Sequence, residues 1–189
     1  SKGLKNKNLL KLLNKPLILH TIEQARMIKN FNKIVVSSDS EKIIKISRKK
    51  VDHCILRPKK LSNDYSSKID AIQHALLMSE NKFNQIFDIV VDLDVTSPLR
   101  SAKDISKAIK IFLKKKPGNL VSGTEAKKNP YFNQVMFKNK KLSVVNKSKK
   151  IIVRRQDAPK IYDLNASIYI WSRTNLLSSK RLINKKTIF

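Results

Sequence analysis

The sequence predicts an α/β domain in which helices pack on a largely parallel sheet. Short β-branched runs alternate with segments whose apolar residues recur every three or four positions, and this alternation is typical of strand–helix units in such a sheet. The 189 residues and 41% apolar content suffice for one domain with a complete core. From about residue 129 the alternation stops, and residues 129–160 are predicted to form hairpin strands inserted before a last apolar strand.

Each element is predicted from its own local pattern: helices from an apolar face, and strands from an apolar or β-branched run. Pro16 suits the first turn of the first helix, Ser40 suits an N-cap, and Pro58 ends the second strand. In chain order the predicted elements are a helix over 17–30, a strand over Ile34–Ser37, a helix after Ser40, a strand over His53–Leu56, a helix marked by Ile69, Ile72 and Leu76, a central strand over Phe87–Leu93, a helix bearing Ile105, Ala108, Ile109 and Phe112, and strands over Leu120–Gly123 and Ser167–Trp171.

The formal net charge of +27 is of the size found in nucleic-acid-binding proteins. However, the charge comes from 33 Lys and only 8 Arg, and Asn (16) and Ile (22) are also abundant, which indicates compositional drift. The lysines are scattered along the chain and stacking aromatic residues are few. We therefore expect a solvated basic surface that attracts anionic substrates such as nucleotides, and keep a basic nucleic-acid-binding module as an alternative.

Membrane and disulfide features are missing from the sequence. No run approaches the roughly 18 consecutive apolar residues of a membrane span, and no secretion signal is recognisable. The single cysteine, Cys54, cannot form an intrachain disulfide, and no Cys/His cluster has the spacing of zinc ligands. We predict a cytoplasmic protein without a membrane partner.

Four polar segments lie where an α/β sheet presents ligands, beyond the carboxyl ends of its strands. The first combines Ser, Gly and Lys in a loop, which suits a triphosphate because Gly permits close backbone approach and Lys neutralises phosphate oxygens. In chain order the segments are Ser1–Leu9, Arg57–Asp64, Asp92–Arg100, and Arg154–Pro159 with Asn165–Tyr169.

Together these segments resemble the acylneuraminate cytidylyltransferase family over essentially the whole chain. The family pattern is SKG…KN, then RP..L..D, then TSPLR, then RQ…P…N.[AS]IY, and this chain has all four in that order. The resemblance implies a Rossmann-like nucleotidyltransferase fold in three layers, dependence on Mg²⁺, and a homodimer in which the insert at 129–160 reaches the partner. It also implies the reaction, in which CMP passes from CTP to a nine-carbon 2-keto sugar acid of the sialic, legionaminic or pseudaminic type and pyrophosphate is released.

The resemblance assigns roles to individual residues. Contacts to CTP are implied for Ser1, Lys2, Lys7, Asn8, Arg57 and Ser67, with Lys2 and Lys7 supplying charge for catalysis. Contacts on the sugar-acid side are implied for Asp94, Arg155, Gln156, Asp163 and Asn165. Arg155 matches the family's arginine that faces the sugar acid, and a guanidinium suits a carboxylate because the two pair in two-point geometry.

The chain departs from the family pattern at three positions. Asp94 stands where sialic-acid enzymes usually have Gln, Asp163 where they commonly have Arg, and Lys68 where they have a small hydroxyl residue. Carboxylates accept hydrogen bonds but cannot donate them. We therefore expect a preference for diamino sugar acids, whose acylamino groups offer N–H donors.

The family's first strand and metal-binding Asp-x-Asp segment are expected to precede Ser1 and to follow Phe189. We accordingly expect residues 1–189 to be a single cytidylyltransferase domain truncated at both ends, inactive alone, with its metal ligands outside it. A glycosyltransferase using Asp92 and Asp94 as its metal site remains an alternative. So do structural roles for the Ser97 turn, for Arg57 at a strand end, and for Arg100 in an ion pair.

Overall fold

The computed structural model describes residues 4, 6–63, 65–148 and 151–189. Its strands are β1 (Lys11–Leu12), β2 (Lys15–Pro16), β3 (Val35–Ser38), β4 (His53–Leu56), β5 (Ile89–Leu93), β6 (Asn119–Glu125), β7 (Val135–Lys138), β8 (Lys141–Val144), β9 (Tyr162–Ser172) and β10 (Thr187–Ile188). Its α-helices are α1 (Leu17–Arg26), α2 (Glu41–Ser47), α3 (Lys68–Phe83), α4 (Ala102–Lys115) and α5 (Arg173–Ser178). By contact the chain forms two compact units, residues 1–122 with 166–189, and residues 123–165.

The first unit contains a four-stranded sheet in the order β10-β6-β9-β5 and a separate parallel pair, β3 and β4. Strand β9 runs antiparallel to β5, and β10 runs parallel to β6. The Ser172 N–H donates to the Gly118 carbonyl, and the Ile168 N–H donates to Ser122 Oγ. The later residue of β9 therefore lies beside the earlier residue of the β6 segment, which means that β9 and β6 also run in opposite directions. The sheet is therefore more mixed than the sequence predicts, because β9 runs against the direction of the other three strands.

Strand β9 supplies the centre of the core on both faces of this sheet. Tyr169 and Trp171 pack with buried residues of α3 and α5, whereas Ile168 and Ile170 pack with buried residues of α4. Successive side chains of a strand point to opposite faces, so an all-apolar run is required where both faces are covered. The α/β class predicted from the sequence is confirmed.

A third apolar cluster packs α1 and α2 against the β3–β4 pair. Its buried members are Ile18, Ile22, Val36 and Ile43. Leu9 and Val95 pack against the same cluster. The cluster therefore brings the amino-terminal segment close to the residues that follow β5.

Most element positions agree with the sequence prediction, and β4 matches its predicted bounds. Helix α1 ends at Arg26, four residues before the predicted end, because Ile28 N–H donates to the Ala25 carbonyl in a tighter turn. Strand β9 begins at Tyr162, five residues earlier than predicted. Helix α5 and strand β10 were absent from the prediction, since six and two residues are too few to show a period.

The second unit is built around the β7–β8 hairpin. Its two-residue turn, Asn139 and Lys140, has positive φ values of 50° and 62°, which suit the right-handed twist of a hairpin. The hairpin strands expected between 129 and 160 are thus present. Their apolar side chains are largely exposed, with Phe137 at 77% and Leu142 at 61%.

Among the described residues, no helix combines the length and the apolar character that crossing a membrane requires.

The packing of β9 predicts where the first unit is most sensitive to mutation. Ile170 is fully buried, so Ile170→Ala should lower the free energy of unfolding by about 2–5 kcal/mol through lost burial and a cavity. Ile86→Ala is the matched control, because Ile86 is 64% exposed and should lose far less. Urea unfolding followed by circular dichroism measures both, and equal losses would contradict the assignment of Ile170 to the core.

Candidate active site

The carboxyl ends of β3 and β4 carry a charged pair, Asp39 and Arg57. The Arg57 guanidinium lies 3.7 Å from the Asp39 carboxylate, and its Nε donates to Ser62 Oγ at 3.1 Å. The Arg57 side chain is 24% exposed. The two contacts fix the guanidinium beside the strand ends while part of it stays exposed, and its assignment to the nucleotide stays a prediction.

The amino-terminal segment contributes Lys7 and Asn8, in a 3₁₀ turn spanning Lys7–Leu9 that follows Asn6 in a left-handed conformation. Asn8 Oδ1 is buried and has no hydrogen-bond partner among the described residues. A buried polar atom without a partner is costly and calls for an explanation, and a bound nucleotide would supply the missing donor. Ser1 and Lys2, the other loop residues assigned to the triphosphate, lie outside the described residues.

Helix α3 begins beside this site with Ser67 as its N-cap. Ser67 Oγ accepts a hydrogen bond from the Ile69 N–H at 3.1 Å. A hydroxyl that accepts at a cap keeps its own hydrogen for donation. The structural role of Ser67 is therefore compatible with the contact to cytidine that the sequence assigns to it.

Lys68, the first residue of α3, lies against the end of the central strand β5. Its Nζ is 2.7 Å from Asp92 Oδ2 and 3.7 Å from Asp94 Oδ2. The same ammonium stands over the Tyr169 ring, 4.6 Å from the centroid, where the negative face of the ring attracts a cation. Two carboxylates and one aromatic face thus surround a single ammonium group.

These contacts change the acidities of the cluster. Burial disfavours the ammonium form of Lys68, but the Asp92 and Asp94 carboxylates outweigh burial and raise the Lys68 pKa. Burial raises the pKa of Asp92, against the opposing effect of Lys68. Burial also acts on Asp94, yet the hydrogen bonds from Thr96 and the charges of Lys68 and Lys7 prevail and lower its pKa. Because the charge of Lys7 acts on Asp94, the amino-terminal turn and the end of β5 belong to one electrostatic environment.

The two carboxylate oxygens of Asp94 are in different situations. Oδ1 accepts from the Thr96 N–H at 2.8 Å and from the Thr96 hydroxyl at 2.6 Å, which fixes the turn after β5. Oδ2 faces Lys68 at a distance too long for a hydrogen bond. Asp94 therefore caps a turn with one oxygen and leaves the other available as an acceptor.

Arg100, at the end of the TSPLR segment, is 7% exposed and structural. Its Nη1 donates to the backbone carbonyls of Ser167 and Asp94, and its Nη2 donates to Gln24 Oε1 at 3.0 Å. The sequence allowed for an ion-pair role, but the partners of this guanidinium are neutral oxygens on α1, β9 and the turn after β5. Arg100 thereby holds these three segments together.

The pair of carboxylates on β5 does not fit a metal site. The Lys68 ammonium occupies the position between Asp92 and Asp94 that a divalent cation would take. Across the described residues there is no group of three or more His, Cys, Asp or Glu side chains that could hold a metal ion. This geometry counts against the glycosyltransferase alternative, which needs a metal at that pair.

Four of the predicted substrate residues lie in the second unit. Arg155 and Gln156 stand in a 3₁₀ turn, exposed, and Arg155 Nη2 donates to the Lys127 carbonyl at 3.3 Å. Asp163 and Asn165 are exposed on the first half of β9. Each unit holds its own share of the predicted site residues, and the roles assigned to these four stay predictions.

Two contributors to the site were not assigned by the sequence. Lys68 was noted only as a departure from the family pattern, and Asp39 was given no role. The signal for Lys68 was present, because a lysine in the first turn of a helix opposes the helix dipole and needs a compensating partner. The sequence could not name that partner, since Asp92 and Asp94 are more than twenty residues away.

A sequence model of the cytidylyltransferase family matches residues 1–189. The chain belongs to this family. It is therefore a nucleotidyltransferase, and the family predicted from the four segments is confirmed. The match gives no support to a glycosyltransferase or to a nucleic-acid-binding module.

Relatives of known name agree with this assignment. The chain is 41% identical to post-translational flagellin modification protein B of Campylobacter coli and 40% identical to the CMP-N,N'-diacetyllegionaminic acid synthase of Campylobacter jejuni. Each match covers 99% of this chain and 79% of the relative. A solved structure of a CMP:2-keto-3-deoxy-manno-octonic acid synthetase complexed with CTP matches this chain with a TM-score of 0.65 at 17% identity. The match covers 94% of this chain and 71% of the synthetase chain, so the two share the same fold.

The position of Arg57 leads to a prediction for nucleotide binding. Arg57→Ala should weaken CTP binding roughly tenfold or more, because a lost charge-assisted contact is worth about 1.5–3 kcal/mol. Arg48→Ala is the matched control, since Arg48 is an exposed arginine at the end of α2. Titration calorimetry with CTP compares the two variants, and equal affinities would remove Arg57 from the nucleotide site.

Proposed function

We propose that this cytidylyltransferase transfers CMP from CTP to a nine-carbon 2-keto sugar acid and releases pyrophosphate. The main observation in support of this proposal is the match to the cytidylyltransferase family over residues 1–189. The relative named CMP-N,N'-diacetyllegionaminic acid synthase, 40% identical over 99% of this chain, supports a sugar acid of this class. The reaction takes place in the cytoplasm, in line with the single unpaired cysteine.

In the proposed reaction the anomeric hydroxyl oxygen of the sugar acid attacks the α-phosphorus of CTP. One P–O bond forms, the bond to the bridging oxygen of pyrophosphate breaks, and the hydroxyl proton is released. Phosphoryl transfer depends mainly on alignment and on neutralising the charge of the phosphates. Lys2 and Lys7 are assigned that neutralising charge and Ser1 a contact to the phosphates, whereas Arg57 and Ser67 are assigned to the cytidine.

We also propose that the reaction requires Mg²⁺. The support is the resemblance in sequence, since enzymes that transfer phosphoryl groups neutralise the triphosphate with this ion. Because Lys68 fills the space between Asp92 and Asp94, those two carboxylates are not assigned to the ion.

The proposed sugar acid carries acylamino groups. Asp94 Oδ2 can accept a hydrogen bond, and a carboxylate cannot donate one, so an N–H or O–H donor on the sugar suits this position. Asp163 is assigned the same preference, Arg155 the carboxylate of the sugar acid, and Gln156 and Asn165 further contacts to it. Together with the similarity to the relative named CMP-N,N'-diacetyllegionaminic acid synthase, this supports our proposal of a diamino sugar acid in preference to N-acetylneuraminic acid.

The substrate proposal is tested by direct competition in the full natural chain. With CTP and equal amounts of N,N'-diacetyllegionaminic acid and N-acetylneuraminic acid, we expect at least a roughly tenfold preference for the former, as one lost charge-assisted contact would give. Asp94→Asn should reduce that preference. Asparagine keeps Oδ1 for Thr96 but replaces the open Oδ2 with a donor.

The matched control is Asp70→Asn, which changes an exposed carboxylate in the first turn of α3. Products are separated by anion-exchange chromatography, and pyrophosphate release is measured in parallel. Equal or better use of N-acetylneuraminic acid would refute the diamino preference. Release of no pyrophosphate with any sugar acid would refute the proposed function itself.

We further propose that the β7–β8 hairpin mediates a homodimer. Its exposed apolar side chains include Val135 at 54%, Phe137 at 77% and Leu142 at 61%. A cluster of this kind on a two-stranded hairpin has more apolar surface than a free hairpin normally exposes, and a second copy of the chain would cover it.

The dimer proposal predicts the behaviour of one hairpin variant. Light scattering at micromolar concentration should give the mass of a dimer for the full natural chain and that of a monomer for Phe137→Ser. Phe189→Ser is the control, because Phe189 is also more than half exposed but lies outside the hairpin. A monomer mass for the unmodified protein would contradict the proposal.

A further inference from the structure

Lys68 occupies a position that helix stability alone does not favour. It is the first residue of the sixteen-residue helix α3, where the helix dipole is positive and a cation is unfavourable. Its side chain is 41% exposed, so the ammonium is also partly removed from water. The stabilising partners that compensate for both effects are Asp92 and Asp94 on another element.

The two partners are held in different ways. Asp92 Oδ2 is in close contact with Nζ at 2.7 Å, whereas Asp94 Oδ2 is 3.7 Å away. Asp94 Oδ1 is already bonded twice by Thr96. Lys68 therefore anchors on Asp92 and attracts Asp94 Oδ2 without forming the hydrogen bond that would occupy it.

We propose that Lys68 is a positioning residue that determines sugar-acid selectivity, because its ammonium faces the open oxygen of Asp94 and helps to orient it. This inference rests on the proposed function of Asp94. Lys68 itself need not touch the sugar acid. Without its ammonium, the Asp92 and Asp94 carboxylates would repel each other across the same small space, and Asp94 would lose its fixed acceptor.

The charged groups around Asp94 set the expected pH dependence. They are Lys68 from α3, Asp92 from β5, Lys7 from the amino-terminal turn, Arg100 from the turn after β5, and Tyr169 from β9. Lys68 and Lys7 help to lower the Asp94 pKa. Removing Lys68 raises that pKa, so the acid limb of the kcat/KM profile for the sugar acid should move to higher pH.

The experiment compares Lys68→Met, Lys68→Arg and the control Lys103→Met in the full natural chain. Lys103 is an exposed lysine in the first turn of α4, so its loss tests for a general effect of charge at a helix start. We expect Lys68→Met to reduce the preference for N,N'-diacetyllegionaminic acid over N-acetylneuraminic acid roughly tenfold, with the KM for CTP changed less than about twofold. Lys68→Arg should restore part of the preference, since it keeps the charge.

The outcomes separate this inference from the function on which it rests. If Asp94→Asn alters the preference and Lys68→Met does not, the positioning role is wrong and the proposed function stands. A raised KM for CTP with unchanged preference would make Lys68 a nucleotide residue and would also overturn the inference. Should Lys68→Met fail to fold, Lys68→Gln removes the charge while keeping a donor for Asp92, and its preference and pH profile decide in the same way.

Discussion

The buried guanidinium of Arg100 fixes the framework of the site. Burying a cation is costly unless hydrogen bonds replace its hydration, and here carbonyl oxygens of Ser167 and Asp94 and the amide oxygen of Gln24 accept from Nη1 and Nη2. Nε is buried and has no hydrogen-bond partner among the described residues. These oxygens lie on β9, on the turn after β5 and on α1. The Arg100 guanidinium therefore sets the distances between these three segments, and it fixes the backbone of Asp94 without the help of a ligand.

On that framework the site combines fixed charges of both signs. The β3 and β4 ends carry Asp39 and Arg57, and the β5 end carries a carboxylate pair neutralised in part by Lys68. The ends of the β3–β4 pair and the end of β5 thus carry different arrangements of charge, although they belong to separate sheets. An overall charge of +27 would attract any anion, so discrimination must come from such local arrangements.

The sequence predicted the long periodic elements because their own residues carry the pattern. The apolar faces of α3 and α4 and the central strand β5 needed no tertiary information. The reversed direction of β9 and the short α5 were missed, since they depend on where the chain returns to the sheet. Motif order was enough to recognise the family, but the roles of Arg155 and Asp163 depend on how distant segments meet.

Two of the three departures noted in the sequence, Asp94 and Lys68, face each other in the structure. Neither change is neutral by itself: an aspartate without the lysine would crowd two carboxylates, and a lysine without the aspartate would leave a helix-start cation with one partner. We therefore expect relatives to carry both residues or neither. If Asp94 selects the sugar acid as proposed, a graft that exchanges sugar preference would have to move the two positions together.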